Sequence, residues 1–269
     1  MGKNYIILIF LILMSFVMIS KKNRAELEHL VNFDEFIDYR FADVFVGTAE
    51  YQGGAYFRDF KKRFPNTLAT KYLNEKDKNN NNKKNMYNYK NYGLLNKIIE
   101  RDYLNDMEEL PDENTVILHL RVGDVIKGKE EKVEGKNYHK YRILIKPWHT
   151  YGKQPSEYEK LAKNLYKENK EYKILMVYGA HFKKNEEISR DYINDIKNIF
   201  VERGFEVSER ESGNPDLDFV FMSRAKNYVK SGGGYSTTVA EMVEHLGGRA
   251  IKDNFSIFGR QSEKRKKFY

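Results

Sequence analysis

Two short stretches hold residue types that could do chemistry. The first is His119-Leu120-Arg121-Val122-Gly123-Asp124, which sets an imidazole, a guanidinium and a carboxylate close together in the chain. Arginine presents a planar fork of donors that matches the paired oxygens of a phosphate or carboxylate. Gly123 lets the backbone turn sharply or approach a ligand, and Asp124 can orient a donor or take up a proton. The second stretch is Ser231-Gly232-Gly233-Gly234-Tyr235-Ser236-Thr237-Thr238. Its consecutive glycines can bring bare amides against a ligand, and Ser236 or Thr237 can cap a helix whose N-terminus attracts anions. It is neither a P-loop, since Gly-Lys-Ser/Thr is missing, nor a G-x-G-x-x-G fingerprint. Together the two stretches have the chemistry to grip a pyrophosphate.

The elements that must hold them follow from periodicity. Residues 115–118 form an apolar, β-branched run behind Pro111-Asp112-Glu113-Asn114, so they read as a buried strand with polar groups at its C-terminal end. Downstream, patterns alternate: helix 156–170, strand 174–178, helix 186–203, strand 205–208, helix 215–225, strand 228–231, helix 236–246 and strand 249–251. Such alternation makes βαβ units and a parallel sheet. Right-handed connections then bring the strand ends to one edge, where ligands bind in open α/β sheets. His119 and Arg121, Gly179 and His181, and residues 231–236 are therefore expected side by side. Residues 125–151 interrupt this grammar as a long excursion. Its aromatic and basic residues, Trp148 among them, suit an acceptor-facing loop and plain packing equally.

The spacing His119-x-Arg121-x-Gly123-Asp124 resembles the H-x-R-x-G-D signature of the α1,2-, α1,6- and protein O-fucosyltransferase superfamily. Asp218 with the apolar residues after it, the strand at 228–231 and Tyr235-Ser236-Thr237 are similar in order and spacing to that family's C-terminal region, with glycines replacing part of its Ser/Thr cluster. The resemblance spans residues 115–251. It implies a GT-B-like α/β fold, a Rossmann-like parallel sheet in the C-terminal half with a smaller α/β N-terminal half, which the apolar residues 5–19 precede as an expected hydrophobic helix. It implies a metal-independent glycosyltransferase that moves fucose from GDP-fucose to a glycan or protein hydroxyl, with no cofactor besides that donor substrate. Carried over by position, Arg121 contacts the donor diphosphate and Asp218 the nucleoside. His119, Gly123, Ser231, Gly232, Gly233, Gly234, Ser236 and Thr237 complete the donor site. For the acceptor's base, Asp124, His181 and Glu50 are candidates, Asp124 first because it lies nearest Arg121. Asp216-Leu217-Asp218 is also a D-x-D, the metal-ligating pattern of the other main glycosyltransferase fold; Pro215 places it instead at a helix start, where the helix dipole favours acids. Two alternatives stand beside this reading: the same architecture with another nucleotide sugar, and a membrane-anchored carbohydrate-binding protein without activity.

The chain of 269 residues suffices for two modest domains, and its lack of cysteine excludes disulfides, zinc-thiolate sites and a cysteine nucleophile. A net charge of +8 favours anionic partners. Lysines scattered along the chain, with no recognised binding module, argue against nucleic acid. Residues 5–19 are apolar except for Ser15 and precede Lys21, Lys22 and Arg24, which reads as an uncleaved signal-anchor crossing the membrane once. An ER or Golgi setting fits the transferase resemblance, while the basic flank leaves the orientation open. The expected division is an anchor at 1–24, an acceptor-side domain at 25–112 and a donor-binding domain at 113–269. Within the middle part, 25–40 reads as an amphipathic helix, 41–47 as a short strand and 56–64 as a helix stopped by Pro65. Residues 76–91 read as an Asn-rich low-complexity linker and 93–104 as a helix.

Overall fold

A computed structural model of the chain describes residues 41–46, 60–79, 90–107, 109–129, 140–146, 149–179 and 185–251. Its elements run α1 (Phe41–Val46), α2 (Leu68–Asn79), α3 (Tyr92–Asp102), β1 (Thr115–Leu120), β2 (Ile126–Lys129), β3 (Tyr141–Ile143), β4 (Ile145–Lys146) and β5 (His149–Thr150). They continue α4 (Pro155–Glu168), β6 (Lys173–Gly179), α5 (Glu186–Glu202), β7 (Glu206–Ser212), α6 (Pro215–Ser223), β8 (Asn227–Val229), α7 (Gly234–His245) and β9 (Arg249–Ile251).

Five strands pair in parallel in the order β7-β6-β1-β8-β9. The chain leaves β1 in one direction through β6 to β7, then crosses back over β1 to reach β8 and β9. The order therefore reverses between β1 and β8. In an open α/β sheet that reversal opens a crevice at the carboxyl ends of the strands, because the connections on its two sides leave towards opposite faces. β1 is the middle strand and carries apolar residues on both faces, as a strand covered on both sides must.

Val116, Leu118 and Leu120 share one core with Tyr158, Leu161 and Leu165 of α4 and with Ile193, Ile196 and Phe200 of α5. The alternate residues Ile117 and His119 point to the opposite face, where α6 and α7 lie. Phe219 of α6 packs there against Phe41, with ring centroids 4.7 Å apart, and Phe45 packs against Tyr72 and Tyr92. The N-terminal helices thus extend the cover of the sheet's second face. The excursion after β1 forms two small antiparallel pairs, β2–β3 and β4–β5. The first pair is tied to α5 by the Tyr141 hydroxyl, which donates to Asp195 at 2.6 Å, and by the Lys129–Asp191 ion pair.

The strand-helix alternation from residue 115 onward matches expectation, with β7 longer than the short strand read at 205–208. Two segments before it differ. Residues 41–46 are a helix, not a strand. Phe41, Val44 and Phe45 are all buried, a spacing that puts them on one helical face, whereas a strand would split them. Residues 76–79, read as the start of a linker, are the last turn of α2. That helix buries Leu68, Ala69, Tyr72 and Leu73, and its first turn is held by Thr67, whose hydroxyl accepts from the Thr70 N–H at 3.3 Å. Before Asp112 the described residues form helices and turns, with no strand among them, and the described residues as a whole belong to one compact unit. The anchor at 5–19, the helix at 25–40, Glu50, Trp148 and His181 lie outside the described residues. Among the described residues no helix is long and apolar enough to cross a membrane.

Candidate functional site

Pairing across the crevice sets its two lips. Leu118 of β1 lies opposite Val229 of β8, so the chain continues on one side into His119 and on the other into Lys230 and Ser231. The Ser231 hydroxyl meets His119 Nδ1 at 3.1 Å and joins the lips. The His119 ring also lies against Tyr235, with centroids 5.7 Å apart. Burial, with the Arg121 charge beside it, lowers the His119 pKa to about 3, so the ring is neutral at neutral pH.

A cleft of about 200 Å³ opens here, lined by His119 of β1, Arg121 and Asp124 just beyond it, Gly179 at the end of β6, Asp218 of α6, Gly232 of the turn after β8, and Tyr235 of α7. Arg121 occupies its rim in a defined pose. One guanidinium nitrogen donates to Asp124 Oδ2 at 3.1 Å, and the guanidinium carbon sits 4.5 Å from the centre of the Tyr151 ring. Asp124 itself is largely exposed, its side chain 60% accessible.

The glycine turn approaches that guanidinium directly. Gly233, with φ 93°, is the N-cap of α7. A Cβ added there would stand 2.9 Å from Arg121 Nη1 and 3.5 Å from the Tyr151 ring, so the backbone comes this near only because no side chain intervenes. The Gly232 N–H donates to the Tyr151 carbonyl at 3.2 Å, which ties the turn to the returning end of the excursion.

The hydroxyls expected to face a ligand do something else. Ser236 is fully buried, and its Oγ accepts from the Ser231 N–H at 2.9 Å and bonds the Tyr228 hydroxyl at 2.8 Å. Thr237 donates from its hydroxyl to the Gly233 carbonyl at 3.0 Å. Neither caps α7; both lie in its first turn and brace the glycine turn from within. Ser231 is committed to His119. Gly123, at φ 73°, has its N–H donated to Ser189 Oγ at 3.0 Å and its carbonyl accepting from Asn185, so it makes the turn into α5's contacts rather than lining the cleft.

The two carboxylates of the D-x-D have separate duties. Asp216, 4% exposed, accepts the Leu68 N–H at 2.7 Å and so caps α2 from across the fold. Asp218 lines the cleft and pairs with Arg210 Nε at 3.4 Å, while that guanidinium lies 4.4 Å from the Phe221 ring centre. Their charges add to burial in pushing the Tyr235 hydroxyl well above its ordinary pKa, and that hydroxyl donates to the Pro215 carbonyl at 2.5 Å. Sequence reasoning missed Tyr151 and Arg210. Tyr151 carried one signal, an aromatic residue at the end of the excursion just before Pro155 restarts the regular pattern. Of the residues expected at the site, His119, Arg121, Asp218 and Gly232 of the donor set and the candidate base Asp124 come together at the cleft, Gly233 presses on Arg121, Gly234 opens α7, and Ser231, Ser236 and Thr237 hold the turn. No family model, curated protein or solved structure matches this chain.

Proposed function

We propose that the protein is a glycosyltransferase that takes a sugar from a nucleoside diphosphate donor, GDP-fucose by the sequence resemblance, and passes it to a glycan or protein hydroxyl. One observation carries this reading: Arg121 is held at the mouth of the topological switch crevice, against the glycine turn that begins α7. Transfer leaves negative charge on the departing diphosphate, and a preorganised guanidinium beside a helix N-terminus stabilises it. Asp218, buried and lining the cleft, takes the nucleoside in this reading. Asp124, exposed and paired with Arg121, receives the acceptor proton in this reading once the donor has taken its share of the guanidinium. The GT-B-like assignment of the sheet and membrane attachment through residues 5–19 belong to the same proposal.

The test is calorimetry with GDP and UDP on the full chain, followed by transfer assays with a panel of nucleotide sugars. Binding of one nucleoside diphosphate, lost in Arg121→Ala while the thermal transition stays, is the expected outcome. A second reading, a fold of this kind retained for carbohydrate binding or scaffolding, is favoured by the size of the cleft. About 200 Å³ is below the roughly 300–1,000 Å³ usual for ligand pockets. Such a protein binds neither nucleotide, and the same titration separates the two.

A further inference from the structure

The segment that ends the excursion touches both lips of the cleft. Through its carbonyl Tyr151 receives the Gly232 N–H, and through its ring it lies on the Arg121 guanidinium. Gly233 covers the same group from the glycine-turn side, since a Cβ there would meet both Arg121 Nη1 and the Tyr151 ring. The segment is itself anchored. Lys153 Nζ donates to the Lys230 carbonyl at 2.9 Å, just before the turn, and the Lys153 carbonyl accepts from the Tyr192 hydroxyl of α5 at 2.6 Å. Gln154 exchanges hydrogen bonds with the Tyr141 backbone and forms a capping box with Glu157 at the start of α4. The ring is thus presented by a fixed backbone.

We propose that Tyr151 is a positioning residue that presets Arg121 for an anionic ligand. An arginine side chain has much rotamer freedom to lose on binding, and a ligand that must immobilise it binds the more weakly for it. Stacking on an aromatic face restrains the guanidinium through its π surface and leaves its in-plane N–H groups for the ligand. A carboxylate alone would restrain it only by occupying those donors, as Asp124 does with one of them. The ring, not the phenol hydroxyl, does this work, so Tyr151→Phe retains it and Tyr151→Leu removes it. The role rests on Arg121 as the anion ligand of the proposed function, yet the restraint itself exists without any ligand.

Two readouts separate the ideas. Arginine-¹⁵N NMR of the full, ligand-free chain, with Arg121 assigned by its loss in Arg121→Lys, reports rotation about the Nε–Cζ bond. Calorimetry with GDP, UDP and inorganic pyrophosphate reports affinity. Slow rotation in the native protein and in Tyr151→Phe, fast rotation in Tyr151→Leu, and a three- to thirty-fold rise in Kd for Tyr151→Leu, about the range a cation–π contact supports, are expected. Gly233→Ala, which pushes on the guanidinium from the other side, should free or displace the same signal and keeps the test alive if Tyr151→Leu does not fold. Unchanged rotation and unchanged Kd in Tyr151→Leu overturn the proposal while leaving the nucleotide reading intact. A restrained Arg121 that Tyr151→Leu releases, in a protein that binds no diphosphate, upholds the clamp and removes the transferase.

Discussion

Across the crevice, the residues after β1 and the residues after β8 differ in what they present. The β1 lip works with side chains: a neutral imidazole, a guanidinium and a rim carboxylate in the space of six residues. The β8 lip works with backbone: glycines without side chains in front, and hydroxyls turned inward behind them. Polar residue types occur on both sides, yet only on the first are most of them available to a ligand. A serine in a glycine-rich turn is as ready to satisfy the turn's own amides as to meet a phosphate, because a buried amide left unpaired costs about 1–3 kcal/mol. The division of labour makes separable predictions.

The largest difference should appear between Arg121→Ala and Ser236→Ala. On the proposed transferase reading, the first should reduce the rate of transfer by about 10²–10³-fold, the usual cost of one preorganised donor, with its urea midpoint near the native one. The second should do the reverse. Removing Ser236 Oγ strands the Ser231 N–H and takes from the Tyr228 hydroxyl one of its partners, a loss of about 1–3 kcal/mol in unfolding free energy. Equal effects of the two changes on activity, with none of Ser236→Ala on stability, would erase the distinction between the lips.

A smaller effect tests the same contrast inside the D-x-D. Asp216→Ala leaves the Leu68 N–H without its buried acceptor, and should lower stability by about 1–2 kcal/mol, the range for losing a helix N-cap. Asp218→Asn keeps the size of the cleft-lining side chain and should act on ligand affinity instead, since Asp218 borders the cleft. If Asp216→Ala spared stability but altered metal-dependent activity, the pair would be a ligand set after all.

These assignments also mark what the amino-acid order could reveal. The strands of the five-stranded sheet and the helices that join them are announced by apolar periods and by Pro or Gly at their ends, as at Pro155, Pro215 and Gly204, whereas β2–β5 within the excursion and the second half of β7 are not. The meeting of Arg121 with the glycine turn followed from that alternation alone, because parallel strands with right-handed connections leave little choice of edge. What stayed hidden depended on distant partners. Residues 41–46 are too few to show a period, and their helical state goes with the packing of Phe41 on Phe219 and of Phe45 on Tyr72 and Tyr92. Helix α2 takes part of its N-terminal support from Asp216, 148 residues away. Whether Ser236 faces in or out is a fact of packing against Tyr228, and Tyr151 gains meaning only when its ring lands on Arg121.

The smallest effect at neutral pH, and one that grows away from it, belongs to the hydrogen bond that joins the lips. Burial, with the Arg121 charge, holds the folded His119 pKa at about 3 against an ordinary 6.5. Between those values the unfolded chain binds a proton that the folded chain refuses, so acidification favours unfolding. The contribution is fully present above about pH 6.5 and is lost progressively as the pH falls towards about 3. A histidine held by a carboxylate would show the opposite sign, gaining stability over the same interval. His119→Gln removes the titrating ring while keeping a group able to bond Ser231. Urea unfolding of both proteins from about pH 7 down to about pH 4 should therefore show a shallower acid loss in the variant. Parallel curves would mean that His119 takes up its proton as readily in the folded chain as in the unfolded one, and the neutral ring between β1 and β8 would have to be given up.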